Sequence, residues 1–71
     1  MTKEFNVIIE RDVEGHFVAS VPELPGCHTQ AKSLDTLMVR VREAIELCLE
    51  VQGEPLPPYQ FIGLQRIAIE L

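Results

Sequence analysis

Apolar and polar positions change period three times along this chain of 71 residues, and each change marks an element boundary. Across residues 4–11, Phe5, Val7 and Ile9 alternate with Asn6, Ile8 and Glu10, the period of two expected of a strand. An acidic turn over residues 12–15 ends in Gly15, which supplies the positive φ of a short hairpin loop. A second strand over residues 16–21 returns antiparallel, with Phe17, Ala19 and Val21 on the face of Phe5, Val7 and Ile9 and with Val18 beside Ile8 on the other. Pro22 stops it by removing a ladder donor, and Pro25-Gly26 has type II turn chemistry, so residues 27–31 are predicted to reverse as a third strand.

The period then lengthens. Leu34, Leu37, Met38, Val41, Ala44, Ile45, Cys48 and Leu49 recur at helical spacing, Ser33 is a suitable N-cap, and Asp35 complements the helix dipole. Gly53 fits the C-cap, so a helix is predicted from Leu34 to Gln52, roughly 28 Å long. Val39 and Leu47 fall on its other face together with Glu43 and Glu50. The sequence Glu54-Pro55-Leu56-Pro57-Pro58 reads as a short stiff connector. Beyond it, Ile67, Ile69 and Leu71 alternate with Arg66, Ala68 and Glu70, predicting a last strand that must pair with its own sheet or with that of a second copy. The expected architecture is α+β, of order β-β-β-α-β, an antiparallel sheet with one long helix on the face of Phe5, Val7, Ile9, Phe17, Ala19 and Val21. Residues 1–71 are expected to form a single domain.

Length changes this picture by leaving room for one core only. A domain of this size buries roughly 60% of its unfolded surface and commonly needs a staple or a partner. One helix cannot cover both sheet faces, so Ile8 and Val18 predict self-association, most simply as a twofold dimer. The formal charge of −5, from 6 basic and 11 acidic residues, repels a phosphate backbone, so the chain alone is not expected to bind DNA. The same charge suits a basic protein partner, whose approach Glu10, Glu43, Glu46 and Glu50 would assist. No cationic leader with an apolar stretch opens the sequence and no apolar run approaches the roughly 18 residues of a membrane span, so the expectation is a cytoplasmic protein away from membranes.

Candidate chemistry adds little. Cys27, Cys48, His16 and His28 lack the spacing of a zinc site, and Cys27 and His28, adjacent on a strand, point to opposite faces, a poor nucleophilic dyad. A Cys27–Cys48 disulfide is disfavoured in a reducing compartment, and both cysteines read as small hydrophobes. Glu10, Asp12 and Glu14 cluster at a turn without a calcium-loop pattern and read as a solvated surface. No phosphate loop, nucleophile elbow or acid-base pair occurs, so neither a cofactor, a metal nor an enzymatic activity is expected.

The stretch Val21-Pro22-Glu23-Leu24-Pro25-Gly26-Cys27, with Arg42-Glu43-Ala44-Ile45-Glu46-Leu47 and Leu49-Glu50 further on, resembles the N-terminal domain of HicB-type antitoxins. The resemblance runs from near Phe5 to about Glu54, and the sequence differs from the usual family pattern at the helix start, over Ala31, Lys32, Ser33, Asp35, Thr36 and Leu37. It implies the HicB-like fold, a partial RNase H-like arrangement. It also implies a binding function, occlusion of a small basic HicA-type RNA-cleaving toxin. Many such antitoxins continue into a helix-turn-helix or ribbon-helix-helix domain that binds operator DNA, and this chain reads as the stand-alone form. The alternative is a homo-oligomeric adaptor of the same fold. On either reading the candidate contact residues are Ile8, Val18, Val39, Glu43, Leu47 and Glu50.

Overall fold

The computed structural model describes residues 2–53 and 59–71, so the connector expected at 54–58 lies outside the described residues. The chain runs β1 (Ile8–Arg11), β2 (Phe17–Ser20), β3 (His28–Ala31) and α1 (Leu34–Gln52), an α+β fold. The strands form one antiparallel sheet of order β1-β2-β3. In register, Ile8 lies opposite Ser20 and Ile9 opposite Ala19, while Ala19 also faces Thr29 and Phe17 faces Ala31.

Each boundary has a local cause. The β1–β2 hairpin closes on the bond from the Asp12 amide to the His16 carbonyl, 2.9 Å, with Gly15 at φ 88° completing the loop. Asp12 Oδ1 accepts from the amides of Glu14 at 3.0 Å and His16 at 2.9 Å, ordering the turn from inside. These backbone bonds, the His16 amide first, outweigh partial desolvation and hold the Asp12 carboxyl below its ordinary value of 3.8. Its contribution is therefore fully present above pH 3.8 and is lost as the pH falls through the lower folded value. Asp12→Ala is expected to lower the melting temperature at pH 7 more than Asp12→Asn, which keeps the acceptor oxygen. The difference between wild type and Asp12→Ala should shrink in acid, and thermal melts at pH 7 and below pH 3 check both statements.

β1 begins at Ile8, later than the alternation from Phe5 predicts. Continuing the register places Asn6 opposite Pro22, which has no amide to donate, so the ladder stops. The Glu23 carboxylate takes over there, accepting from the Asn6 amide at 3.1 Å and from its side chain at 3.0 Å. Partial desolvation raises the Glu23 carboxyl, but the two Asn6 bonds prevail and leave it below its ordinary value. Between β2 and β3 the bonds Leu24 amide to Val21 carbonyl and Cys27 amide to Leu24 carbonyl make two successive turns. The second carries Gly26 at φ 84°, the type II position foreseen for it.

The helix occupies the predicted span. Ser33 Oγ accepts from the Thr36 amide at 3.2 Å, and Gly53, at φ 69°, donates its amide to the Leu49 carbonyl. The core is Ala19, Val21, Leu24, Cys27, Ala31, Leu37 and Val41, with Phe5, Val7, Phe17, Ala44, Ile45, Cys48 and Leu49 packed around it. The helix lies over β3 and β2 rather than β1. Its flank carrying Leu34 and Met38 therefore overhangs the sheet, and both are exposed although the periodicity assigns them to the core. Ile9 is exposed for the same reason.

Residues 59–71 form no strand within the chain. Ile62, Leu64, Ile67, Ile69 and Leu71 are all exposed, so the last strand read from the alternation is not part of this three-stranded sheet.

Candidate interaction surface

The six candidate contact residues fall on two opposite sides of the molecule. Ile8 and Val18 are diagonal neighbours across the β1–β2 ladder, on the sheet face turned away from the helix, since Ala19 between them faces the core. Both are half-buried. Val39, Glu43, Leu47 and Glu50 line up along the outer face of α1, where Val39 is 59% and Leu47 60% exposed. At 100° per residue these four fall within one narrow stripe, opposite the buried Leu37 and Val41. The helix and sheet thus stand between the two groups, and no contact joins them into one patch.

The structure extends the helical stripe sideways. Leu47 and Val51 border a hollow of about 290 Å³ whose other wall is the Pro25-Gly26 turn. Glu43 and Glu50 thus stand beside an apolar shelf formed by Leu47, Val51 and Pro25. The proline-glycine turn is read from the sequence as local geometry alone, and only the folded chain shows it beside the helix.

Two residues of consequence carry no periodic signal. Arg40 donates from its guanidinium to the Gln30 carbonyl at 2.8 Å, tying the helix to the outer edge of β3. The bond from the Val21 amide to the Cys27 carbonyl fixes which residues of β3 face β2, and by alternation the backbone groups of His28 and Gln30 point outward. Arg40 therefore satisfies a carbonyl that a neighbouring strand would otherwise take. On β1 the hairpin bond of Asp12 sets the opposite parity, so Ile9 and Arg11 present their amides and carbonyls to the open side. Nothing in the sequence pattern distinguishes the two edges. The distinction needs the position of a long side chain about two helical turns past the N-cap.

The chemical candidates resolve into structural roles. The Cys27 and Cys48 thiols are free and adjacent, and burial, then the bond to Cys48 and its charge, push the Cys27 thiol up to about 12. A thiol so protonated is a weak nucleophile. His28 Nδ1 lies 3.1 Å from the Gly26 carbonyl. His16 approaches Asp12 at 3.6 Å and Glu14 at 3.8 Å, an arrangement that decorates the hairpin turn. Arg11 lies 4.7 Å from the Phe17 ring centroid, roofing the exposed side of that half-buried aromatic. Among the described residues no three or more His, Cys, Asp or Glu side chains converge on a point where a metal ion would sit. Nor is any helix among them long and apolar enough to cross a membrane.

A three-stranded antiparallel sheet under one long helix defines a small α+β module. The HicB_like antitoxin family of bacterial toxin-antitoxin systems matches residues 5–67, and the chain belongs to that family. Three curated relatives match it over most of both chains. A UPF0150 protein of Archaeoglobus fulgidus is 54% identical over 67 residues, covering 94% of this chain and 96% of the relative. One from Synechocystis sp. is 43% identical with the same coverage of both, and one from Thermotoga maritima is 38% identical over 69 residues, 96% of this chain and 92% of the relative.

Proposed function

We propose that this protein is the neutralising half of a toxin-antitoxin pair, binding a HicA-type RNase toxin and covering its RNA-binding surface without chemistry of its own. Family membership over residues 5–67 is the observation that carries the reading. The charge of −5 and the outer helical row of Glu43 and Glu50 between Val39 and Leu47 support it, because a protein that grips RNA must present positive charge. Acidic rim residues accelerate encounter while the exposed valine and leucine supply apolar contact. The same charge argues against binding of operator DNA by this chain alone. Both partners of such a pair would act in the cytoplasm, where the RNA is.

Self-association belongs to the same proposal. Ile8 and Val18 leave the second sheet face partly apolar, and the exposed alternation of Ile67, Ile69 and Leu71 asks for a partner. That observation also favours the second reading, a homo-oligomeric adaptor of this fold with no toxin to neutralise.

Co-expression with the small reading frame adjacent to the gene separates the two. Induction of the neighbour alone should arrest growth, and co-induction of this protein should restore it and yield a complex on purification. A harmless neighbour, or one that remains toxic and unbound, removes the antitoxin reading and leaves the adaptor.

A further inference from the structure

We propose that the hollow between the end of β3 and the first turns of α1 binds a small molecule carrying a phosphate group, with Lys32, Thr36 and Arg40 as its binding residues. The inference stands apart from the toxin reading and from self-association, because neither uses these side chains.

The hollow has a volume of about 470 Å³, within the roughly 300–1,000 Å³ of small-molecule sites, and His16, Lys32, Thr36 and Arg40 line it. Two elements bring them together. Phe17 pairs with Ala31, so His16 and Lys32 stand across from each other where the β2–β3 ladder ends. Thr36 and Arg40 are four residues apart on α1 and share one face of it. The bond from the Arg40 guanidinium to the Gln30 carbonyl, 2.8 Å, holds that face against the strand.

These side chains offer chiefly donors. A guanidinium has five N–H groups, and the bond to Gln30 engages one of them. The ion pairs among the described residues are those of His16, so within that set no carboxylate neutralises Lys32 or Arg40. The Ser33 hydroxyl donates to Thr36 Oγ1 at 3.0 Å, which leaves the threonine's own hydrogen to donate in turn. His16 turns Nδ1 to Asp12 and Glu14, 3.6 and 3.8 Å away, so Nε2 is the nitrogen left for a ligand.

Two cations and a hydroxyl match a phosphomonoester better than a carboxylate. The phosphate carries close to two charges at neutral pH and three acceptor oxygens, whereas a carboxylate carries one charge and two oxygens. The surroundings limit the ligand to one such group. Asp35 and Glu43 flank Thr36 and Arg40 along the helix, and Asp12 and Glu14 lie against His16, so further phosphates extending from the hollow meet negative charge. A nucleic-acid backbone is disfavoured for that reason, and a single phosphoryl group on a small body is not.

Chemical-shift titration of the full chain with inorganic phosphate and, separately, with adenosine 5′-monophosphate tests this, at constant ionic strength so that screening does not change. Saturable shifts centred on the amides of Lys32 and Thr36 are expected. Lys32→Gln should weaken binding about tenfold, and Lys32→Arg, which keeps the charge, should retain most of it. Arg42→Gln removes the same charge where the helix borders a different groove, and should leave the affinity unchanged. All three variants alter exposed side chains and should keep the helical circular dichroism. Tighter binding of the nucleotide than of phosphate identifies a phosphorylated organic molecule as the ligand, and equal binding identifies the free anion. Saturation by neither probe at millimolar concentration overturns the site, as does equal weakening by Lys32→Gln and Arg42→Gln.

Discussion

Truncating Leu37 to alanine is expected to cost about 3 kcal/mol of folding stability, the middle of the range for leucine in a closed core. Leu37 is 0% exposed, in contact through the core cluster with Ala19, Val21 and Ala31 of the sheet, so the cavity it leaves has no solvent to fill it. In a domain this small, that loss corresponds to a fall of roughly 12–24 °C in melting temperature. It is also a large part of the roughly 5–15 kcal/mol that a native domain has in total. Met38→Ala, one residue along, provides the internal comparison. Its side chain overhangs the sheet and is 44% exposed, so its truncation should cost about 1 kcal/mol or less. Chemical denaturation of both variants measures the difference, and equal losses would mean that the helix is rotated so that Met38 is as buried as Leu37.

If the protein neutralises a toxin as proposed, Leu47→Arg is expected to weaken binding of that toxin about 30-fold, or about 2 kcal/mol, while leaving the fold within about 0.5 kcal/mol of wild type. The reason for the asymmetry is position. Leu47 stands on the outer helix face beside Val51 and the Pro25-Gly26 turn, where it holds no part of the core. An arginine there would place positive charge against the cationic partner proposed above as well as removing apolar contact. Val13→Arg on the exposed β1–β2 loop introduces the same charge far from the stripe and should leave affinity nearly unchanged. Glu43→Lys with Glu50→Lys should act chiefly on association rate, and more at low salt than at high salt. Titration with purified toxin reads all three. Similar losses for Val13→Arg and Leu47→Arg would place the toxin contact elsewhere.

The elements were legible in the sequence because each is governed by local rules. Ser33 and Gly53 bracket the helix through their own backbone and side-chain bonds, and Gly26 turns the chain because its φ is positive. The alternation of Phe17, Ala19 and Val21 identifies the buried sheet face for the same reason, since the pleat alone decides it. Where sequence reasoning overreached, the deciding interaction was between elements. Phe5 and Val7 alternate as a strand does, yet the ladder ends at Ile8 because the residue that Asn6 would face is a proline. Leu34 and Met38 keep the helical period, but the offset of the helix toward β3 leaves them uncovered. The residues from Leu64 to Leu71 alternate equally well and pair with nothing in their own chain, since periodicity specifies a face and not a neighbour.

The arrangement of the candidate contact residues was legible only in part. Spacing on a helix suffices to place Val39, Glu43, Leu47 and Glu50 in one row, and the alternation of strands suffices to place Ile8 beside Val18. That the two rows lie on opposite sides, and that Pro25 and Val51 widen the first, depends on how α1 crosses the sheet. No residue pattern within a single element records that angle.

The bond from Arg40 to the Gln30 carbonyl also limits how far a sheet built from many copies can grow. A sheet with two bare margins is a template in both directions, and lateral stacking then has no terminus, which is how fibrils begin. Here a guanidinium anchored in the helix interrupts one margin, and its bulk and charge travel with every molecule. Growth from that side would have to break a charged hydrogen bond and displace the side chain before the first new backbone bond formed. The two margins thus differ: the Gln30 carbonyl of β3 is engaged by Arg40, whereas no described side chain meets the outward backbone groups of Ile9 and Arg11 on β1.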